Sequence, residues 1–127
     1  MPALARATTV AGLPATLLQL PQGDQLTVVH HGAQVLSWVS GGRERLYLSP
    51  QSTLDGLSAI RGGIPVCFPQ FNQRGDLPKH GFARNLPWQV NTPHLHADRA
   101  HLALSLQDSA STRQWWNQAF EDRKSVV

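Results

Sequence analysis

Apolar residues in this chain alternate with polar ones or come in short runs, and each run is soon closed by Gly, Pro, Asp or Asn. That punctuation belongs to β-strands, because a period of two with frequent breakers leaves no room for the 3.6-residue stripe of a long helix. The pattern predicts strands over Ala15–Leu20, Gln25–His31, Ala33–Ser40, Arg45–Ser49, Ile64–Phe68, Trp88–Asn91 and His101–Gln107, the last with Leu102, Leu104 and Leu106 on one face. Turns are expected at Pro21–Asp24, His31-Gly32, Gly41-Gly42 and Asn72–Pro78, where Gly, Asp and Pro supply the backbone angles other residues resist. Short strands without a helix of length make an all-β, antiparallel protein. Ser52–Ile60 reads as loop, since Gly56 interrupts it and Gly62-Gly63 ends it. Thr112–Phe120 reads as the start of a further apolar strand that gives way to the polar run Glu121–Lys124. A strand that begins and does not finish suggests an incomplete chain, and the expected division is the N-terminal part of a single domain over residues 1–121 and a non-native tail over 122–127.

Of 127 residues, 41% are hydrophobic and 15% charged, below the roughly 25% charged typical of soluble domains, and Pro and Gly are scattered. This suits a packed domain, or part of one, and not a disordered chain. The net charge of +3 does not mark a nucleic-acid binder: the 11 Lys and Arg are dispersed and form no basic helix face. Cys67 is the lone cysteine, so no intrachain disulfide can form, which fits a reducing compartment. The stretch Met1–Leu20 is broken at Thr8, Thr9, Gly12 and Pro14, unlike a signal peptide, and no segment approaches the length of a membrane span. The expectations are cytoplasm, no membrane and no nucleic acid.

Two segments concentrate unusual residues: Arg61-Gly62-Gly63-Ile64-Pro65-Val66-Cys67-Phe68-Pro69-Gln70-Phe71 and Lys79-His80-Gly81-Phe82-Ala83-Arg84. Paired glycines either turn the chain or let backbone approach a ligand, and Pro65 and Pro69 stiffen what lies between them and place it at an edge or a bend. Arg61, Lys79 and Arg84 around His80 suit an anion and its neighbouring hydroxyls, since guanidinium offers a fixed fork and ammonium a point charge. His80 exchanges protons near neutrality. A solvated loop accounts for the same residues.

His94, His96 and His101 have metal-like spacing, but Asp98 is the only carboxylate nearby in sequence, and an exposed polar hairpin explains them; no metal is expected. His30-His31 reads as an exposed strand edge, Cys67 as a small buried hydrophobe, and Trp115-Trp116 as either core or a sugar platform. Neither a phosphate-binding glycine loop before a helix nor a Gly-x-Ser-x-Gly elbow is present.

The two segments, with Leu77-Pro78 before the second and Trp88 after it, resemble the hexose-6-phosphate mutarotases (glucose-6-phosphate 1-epimerases) of the aldose 1-epimerase-like group. The resemblance runs from about His31 to Phe120. It implies a galactose mutarotase-like antiparallel β-sandwich, here the N-terminal portion only, and a reaction that interconverts the α and β anomers of a hexose 6-phosphate without metal or organic cofactor. Carried onto this sequence, it makes Arg61, Lys79 and Arg84 substrate-binding and His80 pocket-lining; some relatives carry glutamine in place of Lys79. The family's acid and base, a histidine and a glutamate, come from farther along a longer chain and would lie beyond Val127, so no catalytic residue is assigned here. The expectation is a fragment inactive alone, and the alternative is a non-catalytic sugar-phosphate-binding β module.

Overall fold

The computed structural model describes residues 2–127. Strand β1 (Leu4–Val10) turns onto β2 (Leu13–Gln19) through Ala11 and Gly12, at φ 50° and 83°. Positive φ at both central residues gives a turn whose twist matches the right-handed strands it joins. After β3 (Gln25–Val29) and β4 (Gln34–Ser40), the same device recurs at Gly41 and Gly42, φ 61° and 74°, before the short β5 (Arg43–Glu44). The result is an antiparallel five-stranded meander ordered β1-β2-β3-β4-β5.

A second antiparallel sheet is built around β8 (Ala100–Gln107). One edge of β8 takes β6 (Gln89–Val90) and β7 (His94–Leu95), two halves of one line broken at Thr92-Pro93, where proline cannot donate to the ladder. The other edge takes β9 (Glu121–Val126), reached through α1 (Ala110–Trp115). That helix starts on a reciprocal cap: Ser109 Oγ accepts from the Thr112 N–H at 3.2 Å, and Thr112 Oγ1 accepts from the Ser109 N–H at 2.8 Å.

The two sheets share one core. Leu102 and Leu104 of β8 are fully buried and meet Leu18, Val28, Val35 and Trp88 from the other side. Each such leucine contributes roughly 1.5–3 kcal/mol by leaving water. A second cluster of Ala15, Val29, Leu36 and Ile60, with Leu48 and Leu54 packed on it, lies under the loop that follows β5. The meander is therefore covered on both faces, which explains why Ala15-Thr16-Leu17-Leu18 is buried without alternation.

The all-β antiparallel expectation matches this architecture, and β2, β3, β4 and β8 fall where the pattern puts them. Other elements depart from it. Strand β1 was not anticipated, because Ala5, Ala7, Thr8 and Thr9 give its faces little contrast. Arg45–Ser49 and Ile64–Phe68 form isolated bridges instead of strands, Leu48↔Gly62 and Val35↔Ile64 among them. Thr112–Phe120, read as the start of a strand, is mostly helix and coil, and the charged run from Glu121 pairs along β8 as a full strand. His30-His31 is not an exposed edge, since β3 and β4 are central: His31 is buried and His30 Nε2 shares a hydrogen bond with Thr16 Oγ1 at 3.0 Å.

Candidate functional site

Residues 45–86 contain only one short 3₁₀ turn, Ala83–Asn85, yet they are fixed against the meander by backbone contacts. The Gly63 N–H donates to the Tyr47 carbonyl at 2.8 Å, the Ile64 N–H to Val35 at 2.9 Å and the Ser49 N–H to Arg61 at 2.9 Å. Gly63, at φ 66°, lies so close that a Cβ there would overlap the Val35 carbonyl oxygen. Gly62 and Gly63 both adopt positive φ, and the close approach they allow is to the protein's own backbone instead of to a ligand.

The loop over residues 71–80 folds back on itself. The His80 N–H donates to the Asn72 carbonyl, the Asn72 N–H donates to His80 Nδ1, both at 2.9 Å, and the Phe71 ring lies 5.0 Å from the imidazole. A backbone N–H can only donate, so Nδ1 is unprotonated and the neutral ring carries its hydrogen on Nε2. Desolvation, with the charges of Arg84 and Lys79, lowers the His80 pKa below its usual value. Past His80, Arg84 returns an Nη2 hydrogen bond to the Lys79 carbonyl at 2.9 Å, and Trp88 Nε1 donates to the Ala83 carbonyl at 2.9 Å, anchoring the segment in the core.

These two segments meet. Arg61, Lys79, His80 and Arg84, all four singled out from the sequence, line a single cleft of about 790 Å³ together with Gln51, Thr53, Ser58 and Ala59. The facing wall comes from the 51–59 loop, shaped by Asp55, whose carboxylate accepts from the N–H groups of Ser58 at 2.8 Å and Leu57 at 2.9 Å; those bonds hold its pKa below the usual carboxylate range. No carboxylate lines the cleft among the described residues, so its charge is cationic. An anion bearing hydroxyls fits such a lining, the guanidinium and ammonium groups taking the charge and the serine, threonine and glutamine the hydroxyls. The wall residues Gln51, Thr53 and Ser58 carry no sequence signal, being ordinary loop residues brought opposite Lys79–Arg84 by tertiary folding.

Other candidates lie elsewhere. Trp116 packs into an aromatic cluster with Phe68 and Phe120 at 5.7 and 6.2 Å, and Trp115 is exposed, so neither lines the cleft. His94 and His101 are cross-strand partners with rings 5.9 Å apart. Cys67 is half-buried.

Sequence comparison decides the family: the aldose 1-epimerase profile matches residues 15–124. The chain belongs to the aldose 1-epimerase family. Among curated family members, an Escherichia coli protein named "Putative glucose-6-phosphate 1-epimerase" is 45% identical over 93 residues, 70% of this chain and 31% of that one. A Cenchrus ciliaris protein of the same name is 36% identical over 94% of this chain and 38% of its own length. In three dimensions the fold matches a Salmonella typhimurium protein described as "a putative mutarotase (YeaD)", with a TM-score of 0.84 and 33% identity, covering 93% of this chain and 41% of that one. Slr1438 from Synechocystis follows at 0.69 and 31%, with 96% and 43% covered. This family member thus spans well under half the length of the relatives it matches, as the sequence resemblance implies for a partial chain.

Proposed function

We propose that this chain is the sugar-phosphate-binding part of a hexose-6-phosphate 1-epimerase and that Arg61, Lys79, His80 and Arg84 contact the substrate. One observation carries the reading: four residues from two separate segments converge on a single cationic cleft. A phosphate dianion is the group that three such cations suit best, because charge-assisted bonds are about twice as strong as neutral ones. The names of the relatives supply the sugar. We also propose a cytoplasmic location, on the ground that the lone Cys67 fits a reducing compartment.

Anomer exchange needs two proton transfers. A base removes the anomeric hydroxyl proton while an acid protonates the ring oxygen, the C1–O5 bond opens, the aldehyde carbon rotates, and closure on the other face reverses both transfers. The one imidazole in the cleft is that of His80, and its Nδ1 is engaged by the Asn72 N–H. One such group does not serve both ends of the reaction. Among the described residues no carboxylate lines the cleft, which favours binding without turnover by these residues and equally supports the second reading, a binding module without chemistry of its own.

Titration calorimetry with glucose 6-phosphate and with glucose tests the site: the phosphorylated sugar binds and glucose binds far more weakly. Equal affinity for the two overturns the assignment of the cations. Exchange NMR on the glucose 6-phosphate anomers tests the division of labour, with a rate that stays at background as protein is added. A rate that rises with protein concentration overturns it.

A further inference from the structure

The cleft depends on two loops that own no ladder, and each is held by one glutamine side chain. Gln34, the first residue of β4 and fully buried, points its Nε2 at the carbonyls of Ile60, at 3.1 Å, and Gly62, the residues on either side of Arg61. The Arg61 backbone is secured as well, its N–H donating to Ser52 Oγ and its carbonyl accepting from Ser49, both at 2.9 Å. Only the Arg61 side chain is left free to enter the cleft. Gln70, 9% exposed, does the same for the second loop. Its Nε2 reaches the carbonyls of Asn72 and Leu77 at 2.8 and 2.9 Å, with Pro78 at 3.3 Å, and its Oε1 accepts from the Leu77 N–H at 3.0 Å. Those contacts tie the two ends of the turn together immediately before Lys79 and His80.

We infer that Gln34 and Gln70 are positioning residues, two amide clamps that fix the Arg61 loop and the Lys79–Arg84 loop in the separation the cleft requires. The chemistry selects an amide: Gln34 faces two carbonyl oxygens and Gln70 three, which demand N–H donors, and neither a hydroxyl nor a carboxylate supplies two hydrogens from one atom. Being neutral, an amide does so without burying a charge beside the cationic lining. The inference concerns how the proposed binding site is built, and it rests on that reading for its effect on ligand.

Gln34→Met and Gln70→Met keep side-chain length, remove the donors and introduce no buried charge. Two readouts on the 127-residue chain separate the possibilities. Amide hydrogen exchange is expected to accelerate at least tenfold at Ser49 and Arg61 in the first variant and at Leu77 and His80 in the second, with Leu102 and Leu104 in β8 unchanged. Glucose 6-phosphate affinity is expected to fall about tenfold in each, since a misaimed cation loses its charge-assisted bond. Gln70→Glu adds a signature that a merely structural role does not give. Its affinity relative to wild type improves as the pH drops from 7.5 to 5, because a protonated carboxyl regains one donor. Unchanged loop exchange in both Met variants overturns the clamps whatever the ligand does. Faster loop exchange with unchanged affinity overturns the positioning role. If wild type binds no glucose 6-phosphate, the proposed function falls and the exchange data alone decide whether the clamps stand. Should Gln70→Met unfold, Gln70→Glu carries both readouts for its loop, and should Gln34→Met unfold, Gln34→Glu read at pH 5, where burial keeps the carboxyl protonated with one donor in place of two, carries them for the Arg61 loop.

Discussion

The meander β1–β5 and the segment that follows it, residues 45–86, are of similar length and are held in opposite ways. In the meander, antiparallel ladders set the register, interrupted by one bulge between β3 and β4 at Thr27/Val28, and the two tight hairpins need only a pair of positive-φ residues each. In the later segment, isolated bridges, three glycines pressed against backbone (Gly62, Gly63 and Gly81) and two glutamine amides replace the ladder. The cleft sits on the second kind. A strand presents its side chains at fixed intervals to two faces, whereas a pinned loop aims Arg61, Lys79, His80 and Arg84 at one point. The contrast predicts that damage to the scaffold unfolds everything and damage to the loops removes binding first.

The largest effect should come from the shared core. Leu104→Ala empties a fully buried position between the sheets and is expected to cost about 2–5 kcal/mol, read as a lower urea midpoint with an unchanged slope. Loss of ligand binding should track global unfolding in that variant. If binding disappears while the midpoint holds, the scaffold and the cleft are not separable as argued.

That separation also governs what could be read from the residues alone. Strands β2, β3, β4 and β8 were legible because burial on a sheet leaves apolar runs between turn residues, and the turns at Pro21–Asp24 and Gly41-Gly42 were legible from backbone chemistry. Strand β9 was not, since Glu121-Asp122-Arg123-Lys124 gives no apolar signal, although Asp122, Lys124 and Val126 face inward. Helix α1 was misread as strand because Trp115-Trp116 outweighed the cap at Ser109, whose partner Thr112 replaces the usual Glu or Gln. For the cleft, the charged residues stood out and their convergence did not. It depends on carbonyls of residues 60–62 and 72–78 meeting Gln34 and Gln70, contacts between backbone and side chain that no residue pattern encodes.

Next in size is the ligand itself. Arg84→Ala removes a half-buried guanidinium from the cleft and should weaken glucose 6-phosphate binding by about 1.5–3 kcal/mol, measured by calorimetry. The urea midpoint should scarcely move. A parallel fall in stability would mean that the Arg84 bond to the Lys79 carbonyl is structural first.

Smaller again is Gly63→Ala, which tests the pinning without touching any cleft side chain. The added Cβ meets the Val35 carbonyl at a backbone angle L-residues resist, so the loop must lift off β4 or carry the strain, at roughly 1–3 kcal/mol. Exchange of the Ile64 amide, which donates to the Val35 carbonyl, should accelerate before that of Leu102. Simultaneous acceleration at both would make the loop part of the cooperative core and narrow the contrast between the two regions.

The smallest effect is a pH dependence confined to the loop. Desolvation, then the charges of Arg84 and Lys79, lower the His80 pKa in the folded state, so the unfolded chain binds its proton more readily. Stability is then fully present above the unfolded value, near 6.5, and is lost as the pH falls from there through the folded value. His30 is lowered in the same direction by burial, but it lies in the meander beside Thr16, so the two histidines report on the two regions separately. Protonation of His80 also removes the acceptor for the Asn72 N–H, so the 71–80 loop should open before the sheet does. Histidine NMR titration combined with exchange at Asn72 checks this. Asn72 should lose protection with the midpoint of His80, and a common midpoint with His30 would show instead that acid acts on the scaffold and the loop as one unit.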